Sequence, residues 1–142
     1  MIDMRILIVE DETAACENLA VILKEIEPET QIAGCTESIT QTVRWLKNNE
    51  MPDLILMDIH LSDGSAFSVF DKLNIETPVI FTTAYDEYAI EAFRVNSIDY
   101  LLKPIKTDDL KRALEKFRKL SRQDVLKYLT QLSQLAPKQA FR

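Results

Sequence analysis

Only two glycines, Gly34 and Gly64, occur in the 142 residues of this chain. Loops that cradle phosphate with backbone amides need several closely spaced glycines, so a P-loop and a G-x-G-x-x-G dinucleotide turn are both excluded. The two cysteines, Cys16 and Cys35, form no C-x-x-C pair and have no neighbouring histidine. Metal and redox roles are therefore without support, and both read as small buried hydrophobes. No apolar run approaches the roughly 18 residues needed to cross a bilayer. The N-terminus passes through Asp3 and Arg5 with no basic leader or small-residue cleavage site, so a cytoplasmic location away from membranes is expected. Basic charge is scarce over most of the chain: residues 1–103 carry 7 basic and 19 acidic side chains, a net −12. That is a poor surface for nucleic acid, because phosphate contacts need Lys and Arg. Residues 104–142 reverse the balance, with 10 basic and 4 acidic side chains and a net +6. Such a tail suits nucleic acid or an acidic partner, or is simply the solvated face of an amphipathic helix.

What the chain does have is alternation. Its 46% hydrophobic and 28% charged content is ordinary for a globular protein, and its length fits one domain with a tail. Five short apolar runs, Arg5 to Val9, Thr30 to Gly34, Leu54 to Met57, Val79 to Thr82 and Tyr100 to Leu102, are separated by segments of helical period. Leu19, Ile22, Leu23 and Ile26 mark the first helix, and Leu110, Ala113, Leu114, Phe117 and Leu120 the last of the domain. Ser38 with Gln41 has capping-box spacing, and Thr107, Asp108 and Asp109 place acceptors at a helix N-terminus. Strands alternating with crossover helices predict a doubly wound α/β fold with a parallel sheet covered on both faces. Beyond about Ser121 a further helical stripe of Val125, Leu129, Leu132 and Ala136 has no partner domain. The expected division is a domain at 1–120 and a helical linker at 121–142.

In such a sheet, ligands bind beyond the carboxyl ends of the strands. Four of the five runs end in reactive groups: Glu10, Asp11 and Glu12 after the first, Asp58 at the third, Thr82 and Thr83 at the fourth, Lys103 after the fifth. Any one of them has a plain explanation as a cap or turn former. Together on one rim they point to chemistry. Clustered carboxylates repel and raise one another's pKa unless a cation neutralises them. Mg²⁺ suits hard oxygen donors and leaves room for a phosphate oxygen. Lys103 supplies a point charge and Thr83 a hydroxyl for phosphoryl oxygens, while a carboxylate can itself be the nucleophile that forms an acyl phosphate.

The segments Ile8-Val9-Glu10-Asp11-Glu12, Leu56-Met57-Asp58-Ile59-His60-Leu61-Ser62-Asp63-Gly64, Thr82-Thr83-Ala84 and Tyr100-Leu101-Leu102-Lys103-Pro104 resemble, in that order and spacing, the receiver domain of two-component response regulators. The resemblance covers roughly residues 3–120. It implies a flavodoxin-like five-stranded parallel sheet of order 2-1-3-4-5 and a phosphoacceptor at Asp58. It also implies Mg²⁺ held by Asp11, Asp58 and the backbone carbonyl of His60, with Glu10 in the acidic pocket, directly or through water. Thr83 and Ala84 with Lys103 would bind the phosphoryl group, Tyr100 would be the switch aromatic, and the bond before Pro104 would be cis. Glu10 departs from the commoner pair of adjacent aspartates, and its extra methylene alters how it reaches the metal. The stretch from Thr83-Ala84-Tyr85-Asp86-Glu87-Tyr88 through Phe93 to Pro104 is similar to receivers of the LytTR class, whose regulators carry a C-terminal DNA-binding domain of mostly β structure.

The implied function is phosphorylation of Asp58 by a sensor histidine kinase and control of transcription through a C-terminal output domain that this sequence does not contain. The chain would not be an enzyme beyond self-catalysed phosphotransfer and autodephosphorylation. Phosphorylation would drive a homodimer through the acidic helix around Asp86, Glu87 and Glu91, the last strand, and the basic helix carrying Lys111, Arg112, Lys116 and Arg118. A stand-alone receiver that signals by docking is the alternative. A haloacid-dehalogenase-like phosphatase would use similar groups but has D-x-D where this chain has Asp58-Ile59-His60.

Overall fold

Helices cover both faces of a sheet whose central strands are buried along their whole length. The computed structural model describes residues 4–84 and 97–119. In chain order the elements are β1 (Arg5–Val9), α1 (Thr13–Ile26), β2 (Gln31–Thr36), α2 (Ile39–Asn48), β3 (Leu54–Asp58), β4 (His60–Leu61), β5 (Gly64–Ser65), α3 (Phe67–Lys72), β6 (Val79–Thr83), β7 (Ser97–Leu102) and α4 (Thr107–Lys119). Five strands form a parallel sheet in the order β2-β1-β3-β6-β7. Strands β4 and β5 form a separate antiparallel hairpin that the sequence pattern did not announce. With that hairpin set aside, the order is the doubly wound 2-1-3-4-5. The positions from Tyr85 to Asn96 and the stripe from Val125 to Ala136 lie outside the described residues.

Side chains alternate across the sheet and build two cores. Leu7, Val9, Ile55, Met57, Val79 and Phe81 pack with Ile39 and Leu46 of α2 and Val69 of α3. Ile6, Ile8, Leu54, Leu56 and Ile80 pack with Cys16, Leu19 and Leu23 of α1 and Leu110, Ala113, Leu114 and Phe117 of α4. Because both faces are buried, β3 and β6 contain no exposed position at all.

The edge strand β2 departs from simple alternation. Its register against β1 shifts between Ile6↔Ile32 and Leu7↔Gly34, so Ala33 is an extra residue. A bulge of this kind exchanges the faces of every residue beyond it. Gly34 and Thr36 turn toward α2 and Cys35 toward α1, opposite Ile8. There Cys35 is joined to Cys16 in a disulfide with a Cα–Cα separation of 7.0 Å. This corrects the sequence-based reading of two buried, unpaired hydrophobes: Cys16 is buried, but Cys35 is exposed and bonded.

At Gly34 a Cβ atom would stand 2.7 Å from Trp45 Nε1, since the indole carried by α2 packs against the β2 backbone there. Gly34→Ala should therefore destabilise the fold by about 1–3 kcal/mol through overpacking. Urea unfolding followed by the fluorescence of Trp45, the one tryptophan in the chain, measures this directly.

The N-terminus of α2 shows where three of its free amides go. Ser38 adopts extended backbone at the cap and accepts the Gln41 amide on its hydroxyl at 3.0 Å, while its carbonyl accepts the Thr42 amide at 2.9 Å. The Gln41 side chain reaches one residue beyond the expected capping-box partner and accepts from the Glu37 amide at 2.6 Å. The remaining two amides, of Ile39 and Thr40, donate to the carboxylate of Asp63 at 2.7 and 3.2 Å. Those bonds, led by the one from Ile39, hold the Asp63 carboxyl below its ordinary value.

Candidate functional site

Each of the reactive positions sits where a buried strand runs out of partners. β1 ends at Val9, and the next residue, Glu10, is only 1% exposed because its amide still donates to Thr36 of the edge strand at 2.9 Å. β3 carries its pairing through Asp58, which lies opposite Thr82 of β6 and is 5% exposed. Thr83 is fully buried opposite Leu102, and its carbonyl accepts the Lys103 amide at 2.7 Å. Lys103 is thereby delivered to the same rim.

The Lys103 ammonium joins the two acids. Its Nζ lies 2.7 Å from Glu10 Oε1 and 2.9 Å from Asp58 Oδ2. The other oxygens are also engaged: Glu10 Oε2 accepts the Glu12 amide at 3.2 Å, and Asp58 Oδ1 accepts the His60 amide at 3.2 Å. Burial pushes the Glu10 carboxyl above its usual value, and the neighbouring charge of Asp58 adds to that, against the opposing bond from Lys103. Burial would lower Lys103, but its bonds to Glu10 and Asp58 outweigh it and raise the ammonium above 10.5. The positive charge is thus held firmly on the lysine.

Glu10, Asp11 and Asp58 each offer a carboxylate oxygen, all within 4.8 Å of one another. Hard oxygen donors this close fit Mg²⁺, which takes one or two carboxylates and keeps waters for the rest of its octahedron. Of the other positions singled out from the sequence, His60 is exposed at the start of β4, with its amide turned to Asp58. Ala84 follows Thr83 and is exposed. Tyr100 lies opposite Phe81 and is partly buried against the core that contains Met57 and Phe81. The peptide bond between Lys103 and Pro104 is cis.

Sequence reasoning passed over Asp63, which the structure ties to α2 across 24 residues of chain. The Asp63-Gly64 dipeptide was the available signal, since such pairs mark tight turns. Gly64 adopts φ 137°, a conformation that a side chain disfavours, and the β4–β5 hairpin turns on it.

A doubly wound parallel sheet with an acidic cluster and a lysine at its carboxyl edge defines the class of α/β signalling domains typified by receivers. The comparisons agree: residues 6–115 match the response regulator receiver domain, and the chain belongs to that family. It is 37% identical over 119 residues to the sensory transduction protein LytT of Enterococcus faecalis, covering 82% of this chain and 48% of that one. It is 35% identical over 141 residues to the sensory transduction protein LytR of Streptococcus agalactiae, covering 96% and 56%. The chain spans about half the length of the curated relatives it matches. Among solved structures, the response regulatory domain of mrkE from Klebsiella pneumoniae is similar with a TM-score of 0.73 and 26% identity, over 82% of this chain and 96% of that one. A CheY-like receiver domain protein from Methanospirillum hungatei gives 0.68 and 26%, over 84% and 97%. The fold is the flavodoxin-like receiver fold. Among the described residues no helix is long and apolar enough to cross a membrane.

Proposed function

We propose that Asp58 accepts a phosphoryl group from a sensor histidine kinase and that the domain passes this event to a C-terminal DNA-binding output. The observation that carries the reading is Lys103 bonded at once to Glu10 and Asp58 at the rim of the sheet. A structural ion pair needs one acid. Three acids against one lysine leave a net negative pocket suited to a divalent cation, which would offset the charge of an incoming phosphoryl group together with Lys103.

In the transfer, an Asp58 carboxylate oxygen forms the new O–P bond as the P–N bond of phosphohistidine breaks, and the leaving imidazole keeps the electron pair. With acetyl phosphate the broken bond is P–O and acetate leaves. Lys103 stands beside Asp58 Oδ2 and neutralises charge on the phosphoryl oxygens, while Thr83 offers a hydroxyl to another of them. Glu10, Asp11, Asp58 and the His60 carbonyl would hold Mg²⁺, which when bound supplies further neutralisation of the phosphoryl oxygens. Intact-mass spectrometry after incubation with acetyl phosphate should show one added phosphoryl group in Mg²⁺ and none in EDTA. Equal modification in both would remove the metal from the reading.

For the output, control of transcription through a further domain is supported by relatives of which this chain covers about half, the sensory transduction proteins LytT and LytR and the transcriptional regulatory protein BtsR of Salmonella typhi among them. Phosphorylation is expected to promote a homodimer through β7, α4 and the segment between β6 and β7. Within one chain the basic face of α4 is already partly neutralised: Arg112 pairs with Asp109 at 2.5 Å and Lys116 with Asp99 of β7 at 3.1 Å. Exposed pairs of this kind contribute little and can exchange partners. Sedimentation with and without beryllofluoride should show dimer affinity rising about 5- to 150-fold, the range of ordinary allosteric couplings. Arg112→Glu should weaken that dimer, and an unchanged mass up to high micromolar concentration would refute dimerisation of these residues.

A further inference from the structure

The loop after Asp58 and the strand end that carries Glu10 belong to different parts of the chain, yet both are fastened to the first turn of α2. On the Asp58 side, Asp63 Oδ1 accepts the Ile39 amide at 2.7 Å, and Oδ2 accepts both the amide and the hydroxyl of Thr40 at 3.2 Å each. Ser62 adds a bond from its hydroxyl to the Glu37 carbonyl at 3.3 Å. On the Glu10 side, the Glu10 amide donates to the Thr36 carbonyl, and the Thr36 and Thr42 hydroxyls meet at 2.7 Å. Thr42 gives its one proton to the Ser38 carbonyl at 2.6 Å, so Thr36 is the donor between them. The first turn of α2 is therefore a strut between the two acids.

A helix cap by itself does not account for Asp63. Ser38 already caps α2 from the adjacent position, and a nearby residue or water would serve the two remaining amides. What Asp63 adds is a tie between segments 23 and 24 residues apart. Its loop is short and well determined: His60 pairs with Ser65, Leu61 with Gly64, and the Ala66 amide returns to the Ile59 carbonyl at 2.7 Å. With Leu61 buried and Asp63 clamped, the backbone at His60 has little freedom relative to Asp58.

We propose that Asp63 is a positioning residue for the acidic pocket: by clamping the loop after Asp58 to α2, it sets the affinity of Glu10, Asp11 and Asp58 for a divalent cation. The inference rests on the reading of that pocket as a Mg²⁺ site. Groups that orient metal ligands at one remove change metal affinity by about 10- to 100-fold, and Asp63 acts through backbone, so the low end applies.

The test is calorimetric titration of MgCl₂ into the wild-type chain, Asp63→Asn and Ser38→Ala, with urea unfolding of each in EDTA. Asp63→Asn keeps the size of the side chain but loses an acceptor and the charge; its Mg²⁺ dissociation constant should rise about tenfold. Ser38→Ala removes the local cap and should lower stability while leaving Mg²⁺ affinity within twofold of wild type. Wild-type affinity in Asp63→Asn would overturn the inference and leave Asp63 a helix cap. A wild-type chain that binds no Mg²⁺ would overturn the pocket reading and this inference with it. Should Asp63→Asn not fold, Asp63→Glu, which keeps both oxygens in a displaced position, carries the same comparison.

Discussion

Asp58→Asn should show no phosphoryl adduct under conditions of Mg²⁺ and acetyl phosphate that load the wild-type chain to one group per molecule. The carboxylate oxygen is the atom that attacks phosphorus, and a neutral amide is a far weaker nucleophile. The substitution is otherwise mild. The Asn side-chain carbonyl can keep the bond now made by Asp58 Oδ1 to the His60 amide. At the other position an NH₂ group would face the Lys103 ammonium, now 2.9 Å from Oδ2, and the lysine would turn wholly to Glu10 at 2.7 Å. Circular dichroism should therefore report an unchanged fold while mass spectrometry reports a complete loss of the adduct. An adduct at wild-type level in Asp58→Asn would place the chemistry elsewhere.

The second large effect is on stability. Lys103→Met keeps a long apolar stem but removes the positive charge bonded to both Glu10 and Asp58, whose side chains are 1% and 7% exposed. Breaking a buried pair by deleting one partner costs about 3–5 kcal/mol, because the other charge is left uncompensated. The Lys103 side chain is still 24% exposed, which places the expected loss at the low end, about 3 kcal/mol by urea unfolding in EDTA near neutral pH. Mg²⁺ should restore much of it, since the cation would take over the neutralisation. The pH dependence has a definite sign. In the wild-type chain the Lys103 contribution is fully present below 10.5 and is lost as the pH rises through its raised folded value. Glu10 has the same sign at lower pH: its folded value lies above 4.5, so its ionisation lowers stability as the pH rises through that interval. Without Lys103 the Glu10 carboxyl would rise further, and the deficit of Lys103→Met should shrink as the pH falls toward 4.5. A deficit that is the same in EDTA and Mg²⁺, and at both ends of that range, would mean that Lys103 acts by packing alone.

Several features were legible without coordinates because they follow from local pattern. The apolar runs read at Arg5 to Val9 and Val79 to Thr82 are strands since both faces are covered, and near-continuous hydrophobicity is the mark of that burial. Parallel topology then places Glu10, Asp58, Thr83 and Lys103 on one rim, because each follows or closes such a run. Ser38 was readable as a cap from side-chain chemistry alone.

What the sequence could not determine concerns phase and pairing over distance. The extra residue at Ala33 leaves no composition signal, yet it decides that Cys35 faces α1 and joins Cys16, and that Thr36 faces α2 and meets Thr42. A single-residue shift exchanges faces because the strand period is two, and only contact with β1 reveals it. Asp63 shows the same limit in another form: its type and its neighbour Gly64 indicate a turn, but the amides it accepts belong to a helix 23 and 24 residues earlier. By itself the sequence determined the fold class and the rim, through periodicity and strand ends. The tertiary structure alone decided which oxygen meets which donor, because hydrogen bonds between distant segments depend on register and helix placement that no local pattern encodes.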